Sequence, residues 1–126
     1  MWPDHCIQGT HGAEYHKDLI VKNTDIEILK GTQRNVDTLS GFGGPKESTG
    51  LFRALDSNKI EEVYIVGLAF DYSLGYTAED SAWDGWLTYV VKDATRSVDP
   101  DDERFMDARL EAAGVRIIKT TGYKLL

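Results

Sequence analysis

Cysteine is almost absent from this 126-residue chain: Cys6 stands alone. One thiol excludes an intrachain disulfide framework and makes a cytoplasmic setting the expectation, with Cys6 itself read as a small buried hydrophobe. Clusters of positive charge are missing too. The 14 basic residues are scattered against 21 acidic ones, giving a net charge of −7. That balance argues against nucleic acid and anionic membrane as partners, both of which reward clustered Lys and Arg. No apolar run approaches the roughly 18–20 residues that span a bilayer, and no signal-peptide pattern opens the chain. What is present, 41% hydrophobic and 28% charged residues, suits one globular domain over residues 1–126 with a core of its own.

The residues before Asp25 carry little periodic signal. Beyond them strand and helix patterns alternate. Ile26–Leu29 is a short strand candidate ending at Lys30-Gly31, and residues 34–45 are rich in Gly, Ser, Asn and Asp, which predicts a loop. Ser48 or Thr49 is placed to cap a helix with Leu51, Phe52 and Leu55 on its apolar face. Val63 to Ala69 is a nearly continuous apolar run, the pattern of a parallel strand buried on both faces. A helix over 74–83 follows, then a strand over 87–91. Asp99-Pro100-Asp101-Asp102-Glu103 is a strong helix start, because acidic side chains and an early Pro suit the N-terminal end of the dipole. That helix is expected to bury Phe105, Ala108 and Ala112, with Met106, Leu110 and Ala113 on the neighbouring stripe, and to stop at Gly114 before a last strand over 115–118. Four strands interleaved with three helices predict βαβ units and a mainly parallel sheet in an α/β domain.

In such sheets ligands bind beyond the carboxyl ends of the strands, which singles out Lys30 and Ser73. Ser73 opens a helix, where N–H groups favour a thiolate or an oxyanion; read on its own it is equally a helix cap. Lys30 on its own is an ordinary solvated lysine. His5, His11 and His16 are spaced six and five residues apart, which is not a zinc-binding spacing.

Four blocks in order carry a resemblance. They are Trp2 to Thr10 with Gly12-Ala13-Glu14; Lys30-Gly31 with Asp37, Ser40 and Phe42; Val66-Gly67-Leu68-Ala69-Phe70-Asp71-Tyr72; and Thr77-Ala78 with Asp93-Ala94-Thr95-Arg96. Together the chain resembles the C-terminal two-thirds of a nicotinamidase, within the isochorismatase-like hydrolases. The resemblance implies hydrolysis of nicotinamide, a small-molecule amide, to nicotinate and ammonia in NAD salvage, through an acyl-enzyme. It further implies that Lys30 matches the lysine of a Cys–Asp–Lys triad and that His5 matches one ligand of a divalent metal, usually zinc. Leu68–Ala69 would match a cis peptide that turns N–H groups toward an oxyanion.

Three departures qualify that reading. The resemblance puts a nucleophilic Cys where Ser73 stands, and a hydroxyl, unlike a thiol of pKa about 8.5, has no ready anion at neutral pH. Loss of several orders of magnitude in rate is therefore expected. The triad Asp, two metal ligands and the first strands belong to family segments that precede Met1. The expectation is a three-layer α/β/α sandwich of isochorismatase-hydrolase type with N-terminal strands missing, an open sheet edge, an exposed apolar face and a tendency to form homo-oligomers. Leu39 stands where the family often has Tyr, and Gly41 where it has Ala. The alternatives are a non-catalytic remnant that keeps the fold as a ligand-binding or interaction module, and an active serine hydrolase with a base beside Ser73.

Overall fold

The periodicity of the apolar residues is realised as a three-stranded parallel sheet with helices against one face. The computed structural model describes residues 2–121. In chain order the elements are β1 (Gly43–Gly44), β2 (Glu47–Ser48), α1 (Leu51–Ser57), β3 (Glu62–Leu68), α2 (Gly75–Trp83), β4 (Leu87–Arg96), α3 (Glu103–Ala112) and β5 (Arg116–Ile118). A 3-10 turn at His11–Ala13 and a π-helical turn at Phe70–Leu74 complete the list. β1 and β2 form an antiparallel hairpin, and the sheet runs β3-β4-β5, parallel throughout. The β3–β4 register is regular from Glu62↔Leu87 to Ile65↔Val90 and then shifts to Gly67↔Thr95, so β4 bulges over residues 91–94. Such a bulge re-aims side chains near the end of a strand.

The core lies where α2 and α3 meet the sheet: Phe70, Leu74, Ala78, Val90, Met106, Leu110 and Val115. At Gly75, the first residue of α2, a Cβ would come within 2.4 Å of Met106 Sδ and 2.5 Å of Phe70 O, so only glycine lets α3 pack so close. Two links tie the helices together and to the sheet. Arg109 donates to Glu79 at 2.6 Å, and Glu79 is buried, so this pair joins α3 to α2. Glu79 also pushes the Arg109 guanidinium further toward its charged form, against the opposing effect of burial. Lys92 Nζ on β4 lies 3.4 Å above the centroid of the buried Phe70 ring and reaches Asp107 at 2.8 Å. A cation held over an aromatic face by an acid stabilises both layers.

The α/β class and the parallel sheet match expectation; several details do not. Ile26–Leu29 forms no strand: among the described residues nothing pairs with it, and Ile26 and Leu29 are exposed. Lys30 therefore ends an extended segment. β3 is not buried on both faces. Val63 and Ile65 turn inward while Tyr64, Val66 and Leu68 are exposed, Leu68 at 73%, because β3 is the edge strand and the helices cover one side. β4 runs to Arg96 and is the strand enclosed by neighbours on both edges.

The inward stripe of α3 is Met106 and Leu110, with Ala113 packed beside them; Phe105 is 65% exposed, and Ala108 and Ala112 are exposed too. The packing against α2 selects between two stripes that periodicity alone leaves equivalent. α3 starts at Glu103, the acidic run before it forming a turn in which Asp101 N donates to Asp99 Oδ1. For α1 the N-cap is Gly50, with φ +83, and Thr49 Oγ1 accepts from Leu51 N at 3.3 Å. Phe52 is exposed on one side and meets the Trp86 ring edge-on. Cys6 is exposed rather than buried, as are all described residues up to Glu27, since no sheet or helix covers that stretch.

Leu110→Ala is expected to lower unfolding stability by about 2–5 kcal/mol, the cost of a cavity in a closed core. Gly75→Ala should cost about 1–3 kcal/mol despite the better helix propensity of Ala, because the added methyl has no space. Urea denaturation of both variants checks this, and an unchanged Gly75→Ala midpoint would contradict the packing described.

Candidate active site

The last residue of β3 and the turn after it are shaped by the core beneath them. Phe70 is fully buried under Lys92, and Leu74 is buried against α3. Between these two anchors the chain makes its π turn, with Tyr72 at φ −128, ψ −114, outside helical geometry. Ala69 O accepts from both Tyr72 N at 3.1 Å and Leu74 N at 3.0 Å. The Leu68–Ala69 peptide bond at the head of the turn is cis. Ser73 sits in the turn just ahead of α2, partly buried, and its carbonyl accepts from Thr77 Oγ1 at 2.6 Å. Thr77 Oγ1 in turn accepts from Gly41 N at 2.7 Å, which joins the loop after Lys30 to α2.

Asp71 does a different job. It is buried, and its two oxygens accept Val98 N at 2.9 Å and Asp99 N at 2.8 Å, so the connection between β4 and α3 is strapped to the turn. Ser97 Oγ donates to Glu103 at 2.9 Å on the same strap. Asp93, on the β4 bulge, accepts from Thr120 N at 2.9 Å; the Thr120 hydroxyl, then its N–H, hold the Asp93 carboxyl below its ordinary range.

These segments enclose a cavity of about 580 Å³ beyond the carboxyl end of β3. Ala69 and Tyr72 line it from the turn, Val98 from the strap, and Asp37, Thr38 and Leu39 from the loop. Lys30 and His5 line it from the extended N-terminal segments, with Trp2. Lys30 Nζ donates to Thr38 O at 3.0 Å. The Trp2 ring meets Tyr72 edge-on at 5.4 Å, giving the cavity an aromatic wall. His5 Nδ1 is 2.7 Å from Pro3 O, which leaves Nε2 as the nitrogen free of that contact.

Of the residues singled out in the sequence, Lys30, His5 and Ala69 therefore meet at one cavity. Ser73 lies within the adjoining turn and does not line the cavity, and Leu68 is on the exposed edge strand. His11 pairs with Glu14 at 2.9 Å and His16 lies 3.8 Å from Asp18, both at the surface and apart from this cavity. Sequence reasoning missed Trp2 and Tyr72 as the aromatic wall and Asp71 as the strap. The aromatic content of the first and third blocks was the available signal for the former; nothing local signals the latter, since the partners are 27 and 28 residues away. A metal is a separate matter. Among the described residues no group of three or more His, Cys, Asp or Glu is placed to hold a metal ion, and one imidazole does not make a zinc site. The residues present do not fit a resident zinc.

A parallel α/β sheet whose ligand cavity opens beyond a strand that turns, through a cis peptide, into a helix defines the class of fold to which this chain belongs. The comparisons place it more closely. The isochorismatase domain matches residues 1–122, and the chain belongs to that family. It is 41% identical over 101 residues to a nicotinamidase of Acinetobacter baylyi, covering 79% of this chain and 47% of that protein. Among solved structures it superimposes on PnC1 from L. infantum in complex with nicotinate with a TM-score of 0.91 at 33% identity, over 96% of this chain and 62% of the other. A pyrazinamidase of Pyrococcus horikoshii in complex with zinc gives a TM-score of 0.85 at 32% identity, over 94% and 63%. The chain thus spans about half to two-thirds of the length of the relatives it matches.

Asp71→Ala would leave two N–H groups of the strap without their protein acceptor; Val98 and Asp99 are exposed, so water can replace it in part and each loss costs about 0.5–1.5 kcal/mol. Amide exchange at Val98 and Asp99 should accelerate selectively in that variant. Unchanged exchange at both positions would show that the strap is held by something else.

Proposed function

We propose that the chain is a nicotinamidase-like amidohydrolase, taking nicotinamide or a related small aromatic amide, with catalysis impaired by Ser73. The observation that carries this reading is the cavity itself. Lys30 and His5 converge there on the aromatic wall of Trp2 and Tyr72, next to the cis peptide and the turn that holds Ser73. The wall suits a flat pyridine ring and the lysine suits a carboxamide or carboxylate at its edge. Nicotinamidases among the relatives, and nicotinate bound to one structural neighbour, support the same ligand class.

In the reaction the nucleophile attacks the carboxamide carbon, the C–N bond breaks, and the amino group leaves as ammonia with the proton that the nucleophile has given up. Water then hydrolyses the acyl-enzyme to nicotinate and regenerates the nucleophile. A Cys thiol enters this sequence already partly ionised, and Lys30 and the N–H groups of the turn would favour its thiolate. The Ser73 hydroxyl must instead hand its proton to a base as it attacks. The histidines offer no such base near the turn except His5, which belongs to the opposite wall. The role of Lys30 is to hold the acyl oxygen or the departing group's charge, and Leu68–Ala69 orients the turn that would face the oxyanion. A cytoplasmic place in NAD salvage and self-association of the chain accompany this reading as proposals.

A second reading has its own support in Ser73: the cavity binds a pyridine carboxamide or carboxylate and does not turn it over. Incubation with nicotinamide, with nicotinate and ammonia both followed, separates the two. The proposal expects turnover that is measurable yet several orders of magnitude below a cysteine nicotinamidase assayed in parallel. Equal rates would overturn the impairment, and no product with retained binding would favour the second reading.

A further inference from the structure

Glu47 lies in none of the four sequence blocks, and the reaction as described makes no use of it. It is nevertheless one of the most thoroughly engaged carboxylates among the described residues. It is 5% exposed, sits on β2, and faces the segment that follows Lys30. Its Oε2 accepts Gly31 N at 2.9 Å, and its Oε1 accepts Thr32 N at 2.9 Å and Thr32 Oγ1 at 3.0 Å. Two successive peptide N–H groups can converge on one anion only where the backbone curls into a concave nest, and Gly31, at φ +64, supplies that curl. The other side of the contact is equally constrained. A Cβ at Gly43, which pairs with Ser48, would run into the Glu47 carbonyl, so the hairpin admits only glycine at position 43.

We propose that Glu47 is the positioning residue of Lys30, its carboxylate clamping the Gly31–Thr32 peptide so that the lysine side chain enters the cavity along a fixed path. This deepens the amidohydrolase reading and rests on it for the importance of Lys30. The Gly31 amide that Glu47 grips is the other half of the Lys30 peptide unit, so the clamp fixes the Lys30 backbone directly. The far end of the side chain is fixed by Thr38 O. The Glu47 carboxyl is held at about 2 by the nearby Thr38 hydroxyl, which completes no hydrogen bond of its own, and by the Gly31 and Thr32 N–H groups that it accepts. Because the folded-state value lies below the ordinary carboxylate range, the contribution of this clamp is complete above about pH 4.5 and is lost as pH falls through about 2.

The variant that tests the clamp is Glu47→Gln. It keeps the shape but replaces one acceptor oxygen by an NH2 group that confronts an N–H donor. The readout is the lysine Cε resonances in the ligand-free full chain, with Lys92, held by Asp107, as the internal control. In the parent protein the two Hε of Lys30 should be inequivalent. In Glu47→Gln they should collapse to the averaged signal of a free lysine while the Lys92 pair is unchanged, a selectivity that general loosening would not give. Collapse of both pairs, or an unchanged Lys30 pair in the folded variant, would overturn the proposal. Should Glu47→Gln fail to fold, amide exchange in the parent protein decides. Gly31 and Thr32 should exchange at least about tenfold more slowly than an open chain, and open-chain rates at both would overturn it. Neither measurement involves nicotinamide. A held Lys30 in a chain that binds and hydrolyses no amide would therefore count against the amidohydrolase reading alone.

Discussion

The placement of the candidate site depends on how the chain leaves β3. Phe70 is locked in the core beneath Lys92, Leu74 is locked against α3, and Tyr72 between them leaves helical geometry. The intervening residues make a π turn, a feature that recurs at functional sites. From that one constraint several consequences follow. Tyr72 is thrown toward the cavity, Asp71 is directed inward to collect the amides of the β4–α3 strap, and Ser73 is left at the mouth of α2. Removing the aromatic anchor would release all three at once.

Around this rigid centre the second wall is built from chain with little secondary structure of its own. The described residues up to Glu27 are exposed, and the segment from Lys30 to Ser48 is ordered mainly by polar contacts, with Phe42 stacked on Trp86. The Glu47 nest, the Thr77 hydroxyl on Gly41 N, and Thr49 Oγ1 on Gly41 O at 2.6 Å are what hold it. Charged and polar contacts of this kind specify geometry better than they add stability. One wall is thus set by packing and the other by hydrogen bonding, and the cavity lies between them.

Much of this was legible in the sequence where local signals and tertiary structure agree. The apolar run at 63–69, the acidic run at 99–103 and Gly114 each mark an element boundary within a few residues of where it lies, because strand period, dipole complementarity and a left-handed stop act locally. Of the residues that carry the family resemblance, Trp2, His5, Lys30, Asp37, Ala69 and Tyr72 line the cavity and the others do not. The failures share one cause, the dependence on distant partners. Ile26–Leu29 has the composition of a strand and no neighbour to pair with; α3 has two apolar stripes and α2 chooses one; β3 is apolar on both faces and covered on one. Glu47 and Asp71 look like surface carboxylates in sequence because their donors are far away along the chain.

The turn and the loop together line the cavity proposed to take a pyridine carboxamide or carboxylate. The most direct test is a nitrogen-15 NMR titration of the chain with nicotinate. Saturable shifts are expected, concentrated at Trp2, Lys30, Thr38, Ala69 and Tyr72. Shifts that never saturate, or that fall away from these residues, would contradict it.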